Sequence, residues 1–206
     1  AMADYYPIMI KLNDKLCKVI GGGRVAERKI VSLLEYGAEV EVISPVFSEK
    51  IRQLGKSNKI ILTNREYTYG DLEGSFMVFA ATNDSSINNL CIEECKERDI
   101  LINAVDNPEE CEFIVPASVK RGDLNISIFT KGKSPMFSKK IREELEESYT
   151  ERHGEYLNLL GELREIIKRD IKNIENRRKI FYELVYSSQV EELIKNEALD
   201  LRKEIY

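Results

Sequence analysis

The chain has 206 residues, of which 43% are hydrophobic and 33% are charged, as in ordinary globular proteins. Its 36 acidic residues outnumber its 31 basic residues, and the net charge of −5 argues against a general nucleic-acid-binding protein. No apolar run approaches the roughly 20 residues that a membrane-spanning helix needs. We therefore expect a globular protein with neither a nucleic-acid nor a membrane partner.

The first half of the chain alternates short apolar runs with helical patterns. Five strands are predicted at Lys15–Ile20, Glu39–Ile43, Lys59–Thr63, Ser75–Ala81 and Ile100–Val105. Helices are predicted between them, at about 25–36, 48–54 and 85–98. Strands that alternate with helices indicate a parallel sheet with right-handed crossovers. Residues 1–112 are thus expected to form a Rossmann-like α/β domain.

The pattern changes after this domain. Cys111–Val115 and Leu124–Thr130 are predicted as two strands joined through 119–123, and a helix follows from about Met136 to Ser148. Two strands and a helix bury little surface alone, so we expect residues 113–150 to be a small α+β domain that pairs with a second copy in a homodimer. Apolar residues at helical spacing predict a C-terminal helical domain over 151–206.

Four cysteines occur without C-x-x-C spacing, at Cys17, Cys91, Cys95 and Cys111. Cys17 falls in a buried strand, and Cys91 and Cys95 are four residues apart on a predicted helix. Reduced thiols, and hence a cytoplasmic location, are the expectation.

A glycine-rich turn joins the first strand to the first helix. Gly21, Gly23 and Ala26 fit the spacing G-x-G-x-x-A of a dinucleotide-binding turn, in which a pyrophosphate rests on the free N–H groups of the helix N-terminus. A glycine turn that only shapes the core is the alternative. We expect NAD as the cofactor and its contacts at the turn and the neighbouring strand ends. The predicted contact residues are Gly21, Gly22, Gly23, Arg24, Val25, Ser44, Pro45, Val46, Thr82, Asn83 and Asn103.

The second strand departs from the usual NAD pattern. An acidic residue commonly ends this strand and binds the adenosine ribose, but here Ser44 stands there, followed by Pro45. Ser44 or the backbone near Pro45 could contact the ribose instead, and Arg24 could favour the 2′-phosphate of NADP. NAD is preferred, with NADP left open.

Asp106 ends the fifth strand, at the sheet edge where open α/β sheets bind their ligands. A carboxylate at this place could accept a proton from a substrate, or it could organise the turn before Pro108. The residues alone leave both roles open.

The order and spacing of several motifs resemble the precorrin-2 dehydrogenase family, which includes the N-terminal part of siroheme synthases. Their order and spacing cover the whole chain. The motifs are Tyr6–Ile8, Gly21–Lys29, Leu33-Leu34, Gly37-Ala38, Ala81–Asp84, Asn103–Pro108, Cys111–Phe113, Pro116-Ala117, Gly132–Pro135 and Ile141-Arg142. The resemblance implies NAD-dependent oxidation of precorrin-2 to sirohydrochlorin, with iron insertion as a second activity of some members. It also implies that Asp106 is catalytic.

The resemblance implies a substrate with many carboxylates, and basic residues are frequent in the second half of the chain. The predicted substrate contacts are Arg121, Thr130, Lys133 and Ser134, although Lys131 replaces a glycine that is common in this loop. No metal-ligand cluster is found, and the only histidine, His153, lies in a polar stretch. A regulatory nucleotide sensor without catalysis is the competing function.

Overall fold

The computed structural model describes residues 5–196 and 200–205. The chain divides into two compact units, Ala1–Ile114 and Val115–Tyr206. The finer division at 112 and 150, with a separate dimerisation domain, stays a prediction.

The first unit is a five-stranded parallel sheet with the strand order β3-β2-β1-β4-β5. Its strands are β1 (Leu16–Ile20), β2 (Glu39–Ile43), β3 (Ile61–Thr63), β4 (Met77–Ala80) and β5 (Leu101–Ala104). Its helices are α1 (Arg24–Glu35), α2 (Glu49–Lys56) and α3 (Ser85–Glu97). The order reverses direction at β1, because β2 and β4 lie on either side of it, and a crevice opens there at the carboxyl ends of the strands. The predicted α/β fold is confirmed.

Both faces of this sheet are covered. Along β1 and β4, successive side chains enter different cores: Val19 and Phe79 pack on one face, and Ile20 and Val78 on the other. Every residue of β4 is buried. Such strands read as continuous apolar runs in the sequence, which is why their positions could be predicted closely.

The predicted strand at Cys111–Val115 is wrong. A 3-10 turn at Pro108–Glu110 is followed instead by an irregular segment. This segment forms hydrogen bonds to the outer edge of β5 through its side chains as well as its backbone. The N–H of Ile102 donates to the Glu112 carboxylate at 3.0 Å, and the N–H of Glu112 donates to the carbonyl of Ile102 at 3.2 Å. The N–H of Ala104 donates to Cys111 Sγ at 3.1 Å. Because side chains supply part of this pairing, no regular ladder forms.

The loop between β3 and β4 is anchored by a buried carboxylate. Glu94 on α3 is fully buried and accepts hydrogen bonds from the Tyr67 hydroxyl at 2.6 Å, Gly70 N at 2.9 Å and Leu72 N at 3.1 Å. Arg98 forms an ion pair with it at 3.1 Å. A buried charge with this many partners is satisfied, and it holds the residues after β3 in place.

The second unit begins with a β-hairpin, and five helices follow it in the part that the structure describes. The elements are β6 (Ala117–Arg121), β7 (Leu124–Ile128), α4 (Pro135–Ser148), α5 (Glu151–Asp170), α6 (Ile174–Tyr186), α7 (Ser188–Lys195) and α8 (Leu201–Ile205). β6 and β7 are antiparallel and form a two-stranded sheet. The first strand of this pair therefore lies six residues later than predicted, whereas β7 and α4 match the predicted elements within two residues.

Two further features of the fold are its cysteine side chains and the lengths of its helices. All four cysteines are free and buried, and burial raises the pKa of Cys17 to about 11 and that of Cys95 to about 12. Within residues 5–196 and 200–205, no helix has the length and apolar character needed to cross a membrane. The cytoplasmic location stays a prediction.

Candidate functional site

The glycine turn after β1 lies where three strand ends meet. Gly21 has φ +119°, and a Cβ built on it would lie 2.4 Å from the carbonyl oxygen of Ala81, just beyond β4. A Cβ on Gly22 would lie 2.0 Å from the carbonyl oxygen of Val46, beyond β2. Real Cβ atoms do not approach so closely, so glycine is required at both positions. Gly21 N donates to the Ile43 carbonyl at 2.9 Å, which ties the turn to β2.

Gly23 differs from its two neighbours. A Cβ built on Gly23 meets nothing within 4 Å, and no side chain caps the helix that follows. The N-terminus of α1 thus faces open space with its first N–H groups available, which is the arrangement that binds a phosphate group. The residues therefore fit the pyrophosphate of a dinucleotide.

A cavity of about 760 Å³ lies beside this turn. Of the predicted cofactor contacts, the turn itself (21–24), Ser44–Val46, Thr82 and Asn83 line it, whereas Val25 and Asn103 do not. Asn103 donates its side-chain N–H to the Phe113 carbonyl at 3.1 Å, so its amide is bound to the segment at the β5 edge. Sequence reasoning missed several lining residues: Phe47, Ser48, Glu66, Tyr67, Asp84 and Ile87.

The acidic residues near this cavity are not equivalent. Glu41 on β2 is bound to the Thr63 hydroxyl at 2.8 Å and to Lys18 at 3.4 Å. Asp84 caps α3, accepting from Ser86 N at 2.9 Å. Glu66, in the loop after β3, is exposed and lines the cavity, and its carboxylate has no hydrogen-bond or ion-pair partner among the described residues. It is therefore the lining carboxylate available to a ligand.

Ser44 does not replace the missing acid directly. Its hydroxyl donates to the Val46 carbonyl at 2.8 Å, and its side chain is almost fully buried. The hydroxyl therefore stabilises the turn after β2 and is not free to bind a ribose. The carbonyls of Ser44 and Pro45 are held in turn by the side-chain amide of Asn64, at 3.2 and 2.9 Å.

Asp106 lies at the end of β5 with an exposed carboxylate. Its Oδ1 accepts from Nδ2 of Asn88 at 2.9 Å, and Asn88 also binds the cavity-lining Thr82. The Ser85 hydroxyl and the Asn88 amide hold the pKa of Asp106 below its ordinary value. Asp106 is therefore a carboxylate at neutral pH and can accept a proton.

The predicted substrate residues lie in the second unit. Ser134 caps α4, accepting from Phe137 N at 3.1 Å, and the Thr130 hydroxyl lies 2.8 Å from that of Ser138. Lys133 is exposed in the turn between them. The Arg121 guanidinium donates to the carbonyls of Tyr149 at 2.8 Å and Glu146 at 3.2 Å, and it therefore caps the C-terminus of α4.

His153 also has a local structural contact. Its Nδ1 accepts from Thr150 N at 3.1 Å and so completes a capping box at the start of α5. Burial lowers the pKa of His153 below its ordinary value. Among the residues that the structure describes, no group of three or more His, Cys, Asp or Glu side chains could hold a metal ion.

Comparison with known proteins places this geometry in a family. Residues 8–117 match the family model described as "Putative NAD(P)-binding". The chain is 31% identical over 191 residues to the siroheme synthase of Photobacterium profundum, and 33% identical over 191 residues to that of Ruthia magnifica. The chain belongs to the precorrin-2 dehydrogenase/siroheme synthase N-terminal family. The match confirms a dinucleotide cofactor of the NAD(P) type, in agreement with the predicted NAD.

Coverage differs between the relatives. The match to each of these two synthases spans 93% of this chain but 40% of the synthase, so the chain covers about two fifths of the relatives' length. A solved structure, SirC, a precorrin-2 dehydrogenase, is similar over 98% of this chain and 97% of its own, with a TM-score of 0.81 and 26% identity. The likeness to SirC therefore extends over both units of the chain.

The different surroundings of Gly22 and Gly23 yield a paired prediction. Gly23→Ala should fold with a small loss of stability, of about 1 kcal/mol or less, because its Cβ enters open space and only the helix N-terminus is affected. It should weaken NAD binding at least about tenfold, because the methyl group occupies the place of the pyrophosphate. Titration with NADH, followed by fluorescence, and thermal unfolding measure both quantities.

Gly22→Ala is the contrasting variant. Its Cβ would clash with backbone, so we expect it to lower the unfolding temperature clearly. Tight NADH binding by Gly23→Ala would contradict the role of Gly23 in the approach of the pyrophosphate. Equal stability of the two variants would contradict the role of Gly22 in close backbone packing.

Proposed function

We propose that this chain oxidises precorrin-2 to sirohydrochlorin with NAD as the hydride acceptor. The observation that carries the proposal is the connection between Asp106 and the dinucleotide cavity. Asn88 binds both Asp106 and Thr82, and Thr82 lines the cavity. Asp106 and the dinucleotide cavity therefore lie at the same edge of one sheet, as the proposed proton acceptor and hydride-acceptor site must. The similarity to SirC, along almost the full length of both chains, supports the assignment.

The reaction needs both functions. Oxidation of the ring system removes two electrons and two hydrogens, one as hydride and one as a proton. NAD, when bound, supplies the electron-pair acceptor and leaves as NADH. In the proposal, the Asp106 carboxylate takes the proton, and its depressed pKa keeps it in the basic form at neutral pH. A nucleotide sensor would not need a carboxylate held in this way, so the enzymatic function is favoured.

The available carboxylate in the cavity supports NAD over NADP. We propose that Glu66, from the loop after β3, takes the place of the acid that β2 lacks and accepts from the adenosine ribose. The 2′-phosphate of NADP would meet this negative charge. Arg24, exposed at the start of α1, is the residue that would favour NADP instead.

For the substrate carboxylates, we propose Lys133 in the turn before α4, with the hydroxyls of Thr130 and Ser134 as neighbours. Lys133 is exposed, as an anion-binding side chain must be. Arg121 is a weaker candidate than its charge suggests, because its guanidinium caps α4. Iron insertion stays a prediction that depends on the resemblance, and incubation with sirohydrochlorin and Fe²⁺ tests it.

The second unit supports a homodimer. Its sheet has two strands, β6 and β7, and a hairpin of this size is only marginally stable alone. Phe129 after β7, and Met136 and Phe137 at the start of α4, are exposed apolar side chains. Light scattering coupled to size exclusion should give twice the mass of 23.8 kDa calculated from the sequence, and a monomeric mass at micromolar concentration would contradict the proposal.

Asp106→Asn tests the proposed base. An amide oxygen can still accept the hydrogen bond from Asn88, but the amide cannot take the proton. In anaerobic assays with precorrin-2 and NAD, kcat should fall at least about a hundredfold while the Kd for NAD stays the same. The acid limb of the wild-type pH profile should lie below the ordinary carboxylate range near about 4, because the pKa of Asp106 is lowered.

Asp99→Asn is the matched control for this test. Asp99 lies just before β5, at the opposite end of the strand, and its φ of +54° suits asparagine. Turnover by Asp106→Asn at the rate of this control would exclude Asp106 as the base.

Glu66→Gln tests the proposed cofactor preference. Two unit charges about 4 Å apart in water interact with about 1 kcal/mol, so removing the charge should shift the ratio of the Kd values for NADP and NAD toward NADP about five- to tenfold. Glu35→Gln, an exposed change outside the cavity lining, is the control and should leave the ratio unchanged. An unchanged ratio in Glu66→Gln would count against this role for Glu66.

A further inference from the structure

Asn88 has an unusual position for its residue type. It lies in the first turns of α3 and is fully buried, although asparagine is a poor helix former and burial of its amide is costly without partners. Three of its hydrogen bonds go to Thr82: Oδ1 accepts from Thr82 N at 3.3 Å and from Thr82 Oγ1 at 2.9 Å, and Nδ2 donates to Thr82 O at 3.2 Å. The fourth goes from Nδ2 to Asp106 Oδ1 at 2.9 Å.

These four bonds use the full capacity of the side chain. An asparagine amide has two N–H donors and one oxygen with two lone pairs, and Asn88 uses all four. The orientation of the amide is therefore fixed. A flipped amide would place its oxygen against the Asp106 carboxylate and its NH₂ group against the N–H of Thr82, and both contacts would be repulsive.

The two partners of Asn88 follow neighbouring strands. Thr82 follows β4 and lines the dinucleotide cavity, and Asp106 follows β5. The exposed Asp106 side chain has two hydrogen-bond partners, the Asn88 amide and the Ser85 hydroxyl, and of these Ser85 is itself exposed. A buried, fully bonded amide at 2.9 Å selects one orientation, because Asn88 itself cannot move without breaking three other bonds.

We propose that Asn88 is the positioning residue for Asp106, and that it fixes the carboxylate relative to the cavity by holding Thr82 and Asp106 with the same amide. This inference rests on the proposed function, in which Asp106 takes the proton. Asn88 does not touch the reacting atoms, and its effect on the rate is transmitted through Asp106. A purely structural asparagine would stabilise the loop after β4 and leave the chemical step unaffected.

Asn88→Ala, with Asn89→Ala as control, separates these roles. Asn89 is the next residue on α3 and is exposed, so the control makes the same change without touching Asp106. Asn88→Ala should lower kcat about ten- to a hundredfold, since a small misplacement of a catalytic group has effects of this size, and should change the Kd for NAD no more than about threefold. The control should match the wild type in both.

The same substitution in the Asp106→Asn background decides whether the effect passes through Asp106. If it does, Asn88→Ala should lower the residual rate of Asp106→Asn by less than about twofold, because the coupled residues are not additive. A full ten- to hundredfold loss in that background would overturn the proposal.

A measurement on the wild type needs neither turnover nor an Asn88 variant. In ¹⁵N-labelled protein, the side-chain N–H resonances of Asn88 should shift with pH as Asp106 titrates, and this titration should be lost in Asp106→Asn. A side-chain amide that does not respond to pH would overturn the proposal even if the variants fail to fold. Failure of the proposed function would be seen separately, as the absence of NADH formation by the wild type.

Discussion

The close approach of backbone atoms at the glycine turn is the constraint on which the site depends. The carbonyls of Ala81 and Val46 lie where the Cβ atoms of residues 21 and 22 would otherwise be. Only glycine allows the ends of β1, β2 and β4 to meet this closely, and their meeting leaves the N-terminus of α1 facing open space beside the cavity. The packing of the glycine turn against β2 and β4 thus shapes the crevice at the strand ends and also leaves the N-terminus of α1 open to a phosphate group.

Buried polar contacts hold the remaining parts of the site to this turn. Asn88 joins the ends of β4 and β5, and Glu94 anchors the loop that follows Glu66. On the far side of β5, Cys111 and Glu112 bind its edge and hold the segment that follows Asp106. The dinucleotide cavity and Asp106 are therefore held in place by hydrogen bonds within the fold, while the charged side chains of Glu66 and Lys133 are exposed.

The sequence predicted the parts of the fold that depend on local patterns. The buried runs at β1 and β4 and the glycine turn could be recognised because continuous apolar strands and the G-x-G-x-x-A spacing are local features. Cys111–Val115 was misassigned because side chains replace part of the backbone ladder there, and nothing in the local pattern reveals this. Glu66 was missed because its relevance depends on β3 lying beside β2, which is a feature of topology.

Asn88 shows a different limit of sequence reasoning. A polar residue four positions after the helix cap Asp84 would ordinarily be assigned to a solvated face, and its burial becomes visible only when α3 is packed on the sheet. The sequence did indicate Asp106 by its position at a strand end. The preference for Asp106 as a base over Asp106 as a turn residue depended on the resemblance to a family, because both roles place a carboxylate at the same position.

In the proposed reaction, this chain couples the removal of a hydride and a proton from precorrin-2 to the reduction of NAD. Rapid anaerobic mixing of the NAD-saturated protein with precorrin-2, followed at the absorbance bands of NADH and sirohydrochlorin, tests it most directly. Both products should rise at the same rate and in a ratio of one to one. Sirohydrochlorin that forms without NADH, or no change at either band, would contradict it.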